Sequence, residues 1–326
     1  MKNVFKNFRK IMKQLNKSMK KTFKLYDKSS VWLKIFIITG LVLLLLKRYN
    51  EFNGDTRVEG FTQMKSYVIK ENNNLYDDFY VKHYDKYAYS KEKTNFEFNE
   101  ICYTSKPKKK TSSILDVGCG TGNLVKKFVK KGYKIKGIDK SKSMIKKAKS
   151  KHPECNFNVE NALTSINHNP NSYTHILCTY FTIYYMKNKL QFFRNAFTWL
   201  KPKGTLTLHL VNRDKFSPIV DAAEVLLMVD PQKYAKKRIT QSFVKFRDYS
   251  YKADFKLQKH KNMAIFDEKF KNDKSGNVRQ NQHTMYMEKQ KDILAMAKSV
   301  GFILQGKIDM KGCGFRYQYL YVLKKP

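Results

Sequence analysis

Leu115-Asp116-Val117-Gly118-Cys119-Gly120-Thr121-Gly122-Asn123 is the stretch that decides the fold. It follows the short apolar run Ser113 to Val117 and precedes a helical face made by Leu124, Val125, Phe128 and Val129. Glycines at alternate positions let the chain turn sharply at a strand's end and approach a ligand without interference from Cβ. The helix start that follows offers free N–H groups. Asp139 closes the next strand, residues 134–138, where an acid suits the two hydroxyls of a ribose.

Outward from this turn, strand and helix patterns alternate, which predicts a mostly parallel sheet covered on both faces. Ser141 can cap a helix that uses Met144, Ile145 and Ala148. Residues 156–159 and 174–178 read as the third and fourth strands. A helix marked by Leu190, Phe193, Phe197 and Leu200 stops at Lys201-Pro202-Lys203-Gly204. Residues 205–211 form a fifth strand. Near the carboxyl end, a helix with Ile293, Leu294, Met296, Ala297 and Val300 precedes two last strands, residues 302–308 and 315–323.

The glycine turn resembles the S-adenosylmethionine (SAM) motif of class I methyltransferases, and Leu200-Lys201-Pro202-Lys203-Gly204-Thr205-Leu206 is similar to that family's segment before its fifth strand. The resemblance runs roughly from Phe79 to Leu323. It implies a Rossmann-like, seven-stranded, mostly parallel α/β sheet whose last strand is antiparallel. It further implies that Gly118, Cys119, Gly120, Thr121 and Gly122 follow the cofactor's amino-acid portion, with Asp116 near its amino group. Asp139 would bind the ribose, and Ile138 and Met144 would flank the adenine. The family usually has an acid after the third strand to read the adenine amine. Here Asn161-Ala162 stands instead, and an amide carbonyl can accept the same bond. Cys178, Thr179, Tyr180 and Phe181 would line the methionine end. A dinucleotide dehydrogenase is disfavoured, because its third glycine would fall at Asn123. A SAM-fold protein without catalysis is a further alternative.

Two segments lie outside this pattern. Tyr76, Tyr80 and Tyr84 share one helical face, with Phe79 and Tyr87 beside it, and either cover the cofactor or pack against the sheet. Residues 214–287 form an insertion. Tyr249, Tyr251, Ala253 and Phe255 alternate with polar residues, and residues 263–270 and 278–287 read as further strands around a loop at residues 272–277. This insertion is expected to be an antiparallel lid over the acceptor. Arg279, His283 and Tyr286 are its polar candidates, and Tyr180, Arg279 and His283 are the catalytic candidates.

Methyl transfer from a sulfonium is an in-line displacement, so aligning the acceptor supplies most of the rate. A base is needed only where the acceptor must lose a proton. Cys178-Thr179-Tyr180-Phe181 replaces the Asn/Asp-Pro-Pro-Tyr of exocyclic-amine methylases, and no Pro-Cys nucleophile occurs. A small molecule or lipid is the expected acceptor, with protein or RNA second.

The net charge of +38 points to anionic partners, yet lysine is spread along the whole chain and reads as general compositional bias. A nucleic-acid partner is therefore not favoured. Five cysteines without C-x-x-C spacing indicate neither a disulfide framework nor a zinc site, and suit a reducing compartment.

Residues 1–30 form a basic segment whose Val4, Phe8, Ile11, Met12, Leu15, Met19, Phe23 and Tyr26 share one helical face. Such a helix suits an anionic membrane surface; a calmodulin-like target or a presequence are alternatives. Residues 31–46 read as a transmembrane or membrane-inserted helix, so residues 1–46 are expected to contact membrane lipid with the catalytic domain on the cytosolic side. Residues 47–74 read as a linker. The methyltransferase domain is assigned to residues 75–326, with a cofactor-binding core at 112–211.

Overall fold

The computed structural model describes residues 27, 29–52, 66–71, 74–220, 232 and 235–326. The basic amphipathic reading of residues 1–30 lies outside the described residues, apart from Asp27, Ser29 and Ser30, as do residues 53–65, 72 and 73 of the linker and residues 221–231, 233 and 234 of the insertion. Contacts divide the chain into two units, residues 1–63 and 64–326.

The described part of the first unit is the helix α1, Val31–Phe52. Thr39 bonds back to the Ile35 carbonyl at 2.8 Å, and Lys34 Nζ reaches the Asp27 carbonyl at 2.9 Å. Among the described residues, no helix is long and apolar enough to cross a membrane. This corrects the transmembrane reading of residues 31–46. Sixteen residues rise about 24 Å at 1.5 Å each, against roughly 30 Å of hydrocarbon, and Lys34, Lys47 and Arg48 bound the run.

The second unit is built on a seven-stranded sheet. In chain order its strands are β2 (Ser113–Val117), β3 (Lys134–Asp139), β4 (Asn156–Val159), β5 (Tyr173–Cys178), β6 (Leu200–Val211), β11 (Ile303–Asp309) and β12 (Gln318–Lys324). Their spatial order is β11-β12-β6-β5-β2-β3-β4. Neighbours from β4 to β6 are parallel, while β12 runs antiparallel to both β6 and β11. The expected Rossmann-like architecture, including the reversed last strand, is the one observed.

The sheet is buried on both faces because its apolar residues alternate between two helix layers. Ile114, Ile135, Leu177 and Leu320 pack under α3 (Lys91–Ser105), α4 (Asn123–Lys130) and α5 (Lys142–Lys151), through Phe98, Ile101, Val125, Phe128 and Ala148. Leu115, Ile138, Ile176 and Leu208 face α6 (Lys189–Trp199) and α7 (Gln290–Ser299), through Phe192, Phe193, Ala196, Ile293 and Ala297. Burial of Phe128 alone is worth roughly 1.5–3 kcal/mol.

The insertion builds a second, five-stranded sheet in the order β1-β10-β9-β8-β7. Its strands are β1 (Tyr67–Glu71), β7 (Gln241–Lys245), β8 (Tyr249–Gln258), β9 (Met263–Asn272) and β10 (Val278–Tyr286). The period-two pattern holds: Tyr249, Tyr251, Ala253 and Phe255 are buried on one face while Lys252 and Lys256 are exposed. That inner face packs on α2 (Asp78–Ala88), where Tyr87 stacks on Tyr251 with centroids 5.2 Å apart. Two strands escaped the sequence reading. β7 is an edge strand, and β1 lies within the presumed linker, paired in parallel with β10 from Tyr67↔Val278 to Glu71↔Gln282.

Candidate functional site

The glycine turn is held from behind by main-chain bonds. Gly118 and Cys119 N–H groups both donate to the Ile138 carbonyl, at 2.8 and 3.0 Å. Gly118, Gly120 and Gly122 all have positive φ, at 72°, 54° and 81°, the region glycine enters without strain. Their roles differ. A Cβ on Gly118 would strike Thr182, and one on Gly122 would strike the Phe157 ring. A Cβ on Gly120 meets nothing within 4 Å and would project into open space. That space belongs to a cavity of about 360 Å³, in the size range of small-molecule sites.

Asp139 reaches this turn directly. Its Oδ2 accepts from Gly120 N–H at 3.0 Å and its Oδ1 from Ser141 N–H at 2.8 Å. Burial raises its pKa, against the lowering effect of those two bonds. Asp116, also lining the cavity, is pushed well above the usual carboxylate range by burial, then by Glu97 and Asp139. Glu97 on α3 is raised by burial, with Lys93 opposing, and its Oε1 has no hydrogen-bond partner. The cavity is lined by five carboxylates, Glu97, Asp116, Asp139, Glu160 and Glu268, against two ammonium groups, Lys93 and Lys140, a balance that suits a cation. The sulfonium and ammonium of SAM are such cations, so the residues present fit that cofactor.

The other expected contacts fall around the same cavity. Met144, Ala162, Thr179, Tyr180 and Phe181 line it, as do Cys119 and Thr121. Thr121 is turned toward Asp85 on α2, its hydroxyl donating at 2.6 Å. Asn161 is exposed, and its Oδ1 accepts from Leu163 N–H at 3.1 Å, closing a local turn that uses one lone pair of the carbonyl. Tyr180 and Phe181 follow β5 with φ of 40° and 59°, unusual for non-glycine residues. The Phe181 N–H donates to His209 Nδ1 at 3.2 Å, and His209, buried and held neutral with its pKa lowered to about 3, bonds Gln318 through Nε2. Tyr180 lies with its ring centroid 3.2 Å from the Lys93 ammonium.

Tyr76, Tyr80, Tyr84 and Tyr87 line the same cavity as the glycine turn. The tyrosine face therefore both packs against the five-stranded sheet and lines the cavity. Phe255, Phe266, Glu268 and Met285 of the five-stranded sheet also line the cavity.

Arg279 is not among the lining residues. Its guanidinium pairs with Asp77 at 2.7 Å, donates to the Leu75 carbonyl at 3.2 Å and to Asn281 Oδ1 at 2.9 Å, and lies over Phe79. It pins β10 to the start of α2. We expect Arg279→Ala to lower stability by about 1 kcal/mol, since Asp77 is partly exposed, and to leave affinity for S-adenosylhomocysteine unchanged. Melting temperature and calorimetric titration on one preparation check both, and a change confined to affinity would contradict this placement. Tyr286 likewise contributes structure, its carbonyl accepting from Lys189 at 2.9 Å.

His283 is buried and linked to the cavity wall. Its Nδ1 lies 2.9 Å from the Tyr185 hydroxyl, and its Nε2 lies 2.6 Å from Glu268 Oε2 and 3.3 Å from the Tyr80 hydroxyl. Tyr185 and Glu268 were not singled out from the sequence. Glu268 had a readable signal: it occupies the inward register of β9, in line with Ala264, Phe266 and Phe270. Tyr185 sits in a single 3₁₀ turn, Thr182–Tyr185, which carries no periodicity to read.

A family model described as a methyltransferase domain matches residues 114–204. Malonyl-[acyl-carrier protein] O-methyltransferase 1 of Ilyobacter polytropus is 27% identical over 221 residues, covering 64% of this chain and 79% of that protein. The ubiquinone biosynthesis O-methyltransferase of Rickettsia bellii is 30% identical over 118 residues, 35% of this chain, and the chain spans 49% of that protein's length. Among solved structures, a S-adenosylmethionine-dependent methyltransferase from Clostridium acetobutylicum shares the fold with a TM-score of 0.57 at 16% identity, over 76% of this chain and 98% of that one. The matched domain spans β2 to the start of β6, including the glycine turn and Asp139. The matched domain and the shared fold support S-adenosylmethionine-dependent methyl transfer by this chain.

Proposed function

We propose that this enzyme methylates an oxygen of a small-molecule or lipid acceptor that enters the cavity between the glycine turn and the lid sheet. The observation that carries the reading is the continuity of that cavity: one space is lined by Gly118, Gly120 and Asp139 on one side and by Tyr185, Phe255 and Phe266 on the other. Bound SAM supplies an electrophilic methyl group on a cationic sulfur. Gly118, Cys119, Gly120, Thr121 and Gly122 would cradle its amino-acid end, with Asp116 on the ammonium. Asp139 would take the ribose hydroxyls, and Met144, Asn161 and Ala162 the adenine. Thr179 and Tyr180 would border the methyl group. Two relatives are named as O-methyltransferases, which supports an oxygen acceptor. The aromatic lid lining supports an apolar or planar molecule. Incubation of the enzyme with methyl-labelled SAM and fractionated small-molecule and lipid extracts tests the reading. Label found only in protein or RNA would refute it.

The acidic lining sets a pH dependence. Burial raises the pKa of Asp116, Glu97 and Asp139 in the free protein, so each holds its proton to a higher pH than an ordinary carboxylate. A cationic ligand favours the ionised forms, and binding therefore releases protons. Affinity for SAM should rise with pH through this raised range and level off above it. Titrations between pH 5 and pH 8 check the sign; affinity that falls with rising pH would contradict it.

We also propose that α1 rests on a membrane surface rather than crossing it. Val31, Trp32, Phe36 and Leu45 are exposed in their own unit, and the preceding residues are basic. Flotation with anionic vesicles should recover the full chain, and recovery equal to that with neutral vesicles would count against the idea.

A further inference from the structure

The strongest unexplained feature is a buried chain of polar groups that ends at the cavity. Glu268 is fully buried, and both its oxygens receive donors: Tyr251 O–H at 2.6 Å on Oε1 and His283 Nε2 at 2.6 Å on Oε2. A carboxylate only accepts, so Nε2 carries the imidazole proton. Nδ1 then has its lone pair free to accept, and the Tyr185 hydroxyl donates to it across 2.9 Å. Tyr185 lines the cavity, whereas His283 stands behind it. The groups facing the imidazole are Tyr185 from the 3₁₀ turn, Tyr76 and Tyr80 from the α2 region, and Phe266 and Glu268 from β9. Glu268 is the acidic side chain of this set. Burial raises the pKa of Tyr76, Tyr80 and Tyr185, so these hydroxyls stay protonated at neutral pH.

We propose that Tyr185, His283 and Glu268 form a proton relay serving an acceptor hydroxyl, so that the methylated oxygen is one that still carries its proton at neutral pH. The inference rests on the placement of cofactor and acceptor proposed above and names the acceptor's chemistry. A carboxylate acceptor is already ionised and needs no base, whereas a phenol, with a pKa of about 10, does. As the acceptor oxygen forms its C–O bond and the C–S electron pair stays on sulfur, the hydroxyl proton passes to Tyr185 Oη. The Tyr185 proton moves to His283 Nδ1, and the imidazolium is held by Glu268. Tyr185 is the catalytic residue that touches the acceptor; His283 receives the proton through it, and Glu268 is a positioning residue.

The test uses the full chain with 4-propylphenol as acceptor and 4-propylbenzoate and 4-propylbenzylamine as controls. Tyr185→Phe and His283→Gln should lower phenol methylation by about 100-fold or more, and Glu268→Gln should lower it as well. S-adenosylhomocysteine affinity should stay within about twofold in all three. In His283→Gln the rising limb of the pH–kcat/KM profile should move toward the phenol's own ionisation. Independently of activity, proton NMR should show a far-downfield imidazole N–H that is lost in His283→Gln and displaced in Glu268→Gln. Wild-type protein that fails to bind S-adenosylhomocysteine would defeat the proposed function itself. Intact affinity with unchanged phenol turnover in Tyr185→Phe would overturn the relay alone. Methylation of the benzoate or the amine in place of the phenol, or of none of the three, would overturn the hydroxyl assignment.

Discussion

Gly120→Val is expected to weaken S-adenosylhomocysteine binding by about 100-fold or more while the protein remains folded. The reason lies in what each glycine of the turn faces. Gly118 and Gly122 are packed against Thr182 and Phe157, so side chains there disrupt the fold before they touch a ligand. Gly120 lines the cavity, and a valine side chain there projects into the open space where we propose the cofactor's amino-acid end. Its φ of 54° makes any side chain somewhat strained, at about 1–2 kcal/mol. That cost lowers the melting temperature by a few degrees and does not unfold the domain. Calorimetric titration with a circular dichroism melt on the same sample separates the two effects. Retained affinity would place the ligand elsewhere, and loss of folding would make Gly120 structural.

Lys189→Met is expected to cost about 3 kcal/mol, roughly a 6–12 °C fall in melting temperature for a domain of this size. Lys189 is the first residue of α6, and its ammonium is completely buried. It donates to the Met186 carbonyl at 3.0 Å and the Tyr286 carbonyl at 2.9 Å, and pairs with Glu288 at 2.7 Å. Desolvation lowers its pKa, with Glu288 opposing. Methionine matches its length but leaves two carbonyls unpaired and Glu288 without its cation. The ammonium also ties the end of the Tyr185 turn to the end of β10, which carries His283. Thermal melts of the single variant and of Lys189→Met with Glu288→Gln measure the pair. An unchanged melting temperature would show that relief of burying the charge offsets the lost bonds.

Much of this enzyme is legible in its sequence for local reasons. β2 is a short apolar run ended by Gly118, and β3 is followed by the capping residue Ser141. The turn at residues 117–123 needs positive φ at alternate positions, and glycine is the residue that supplies it cheaply. The alternation along β8 is a local period that survives any tertiary arrangement. These features carried the fold, the cofactor and the strands of the second sheet.

What only the tertiary structure decided depends on pairing across long separations. β1 is exposed along Tyr67, Val68 and Ile69 and becomes a strand by pairing with β10, more than 200 residues away. Arg279 reads as a substrate clamp in isolation, but Asp77 consumes its guanidinium across a similar distance. The relay joins a 3₁₀ turn, β9 and β10, and no sequence spacing relates Tyr185 to His283 or Glu268. A hydrogen bond depends on where two atoms stand in space. Sequence periodicity reports which way a side chain points, and the packing of the lid sheet on α2 decides what it meets there.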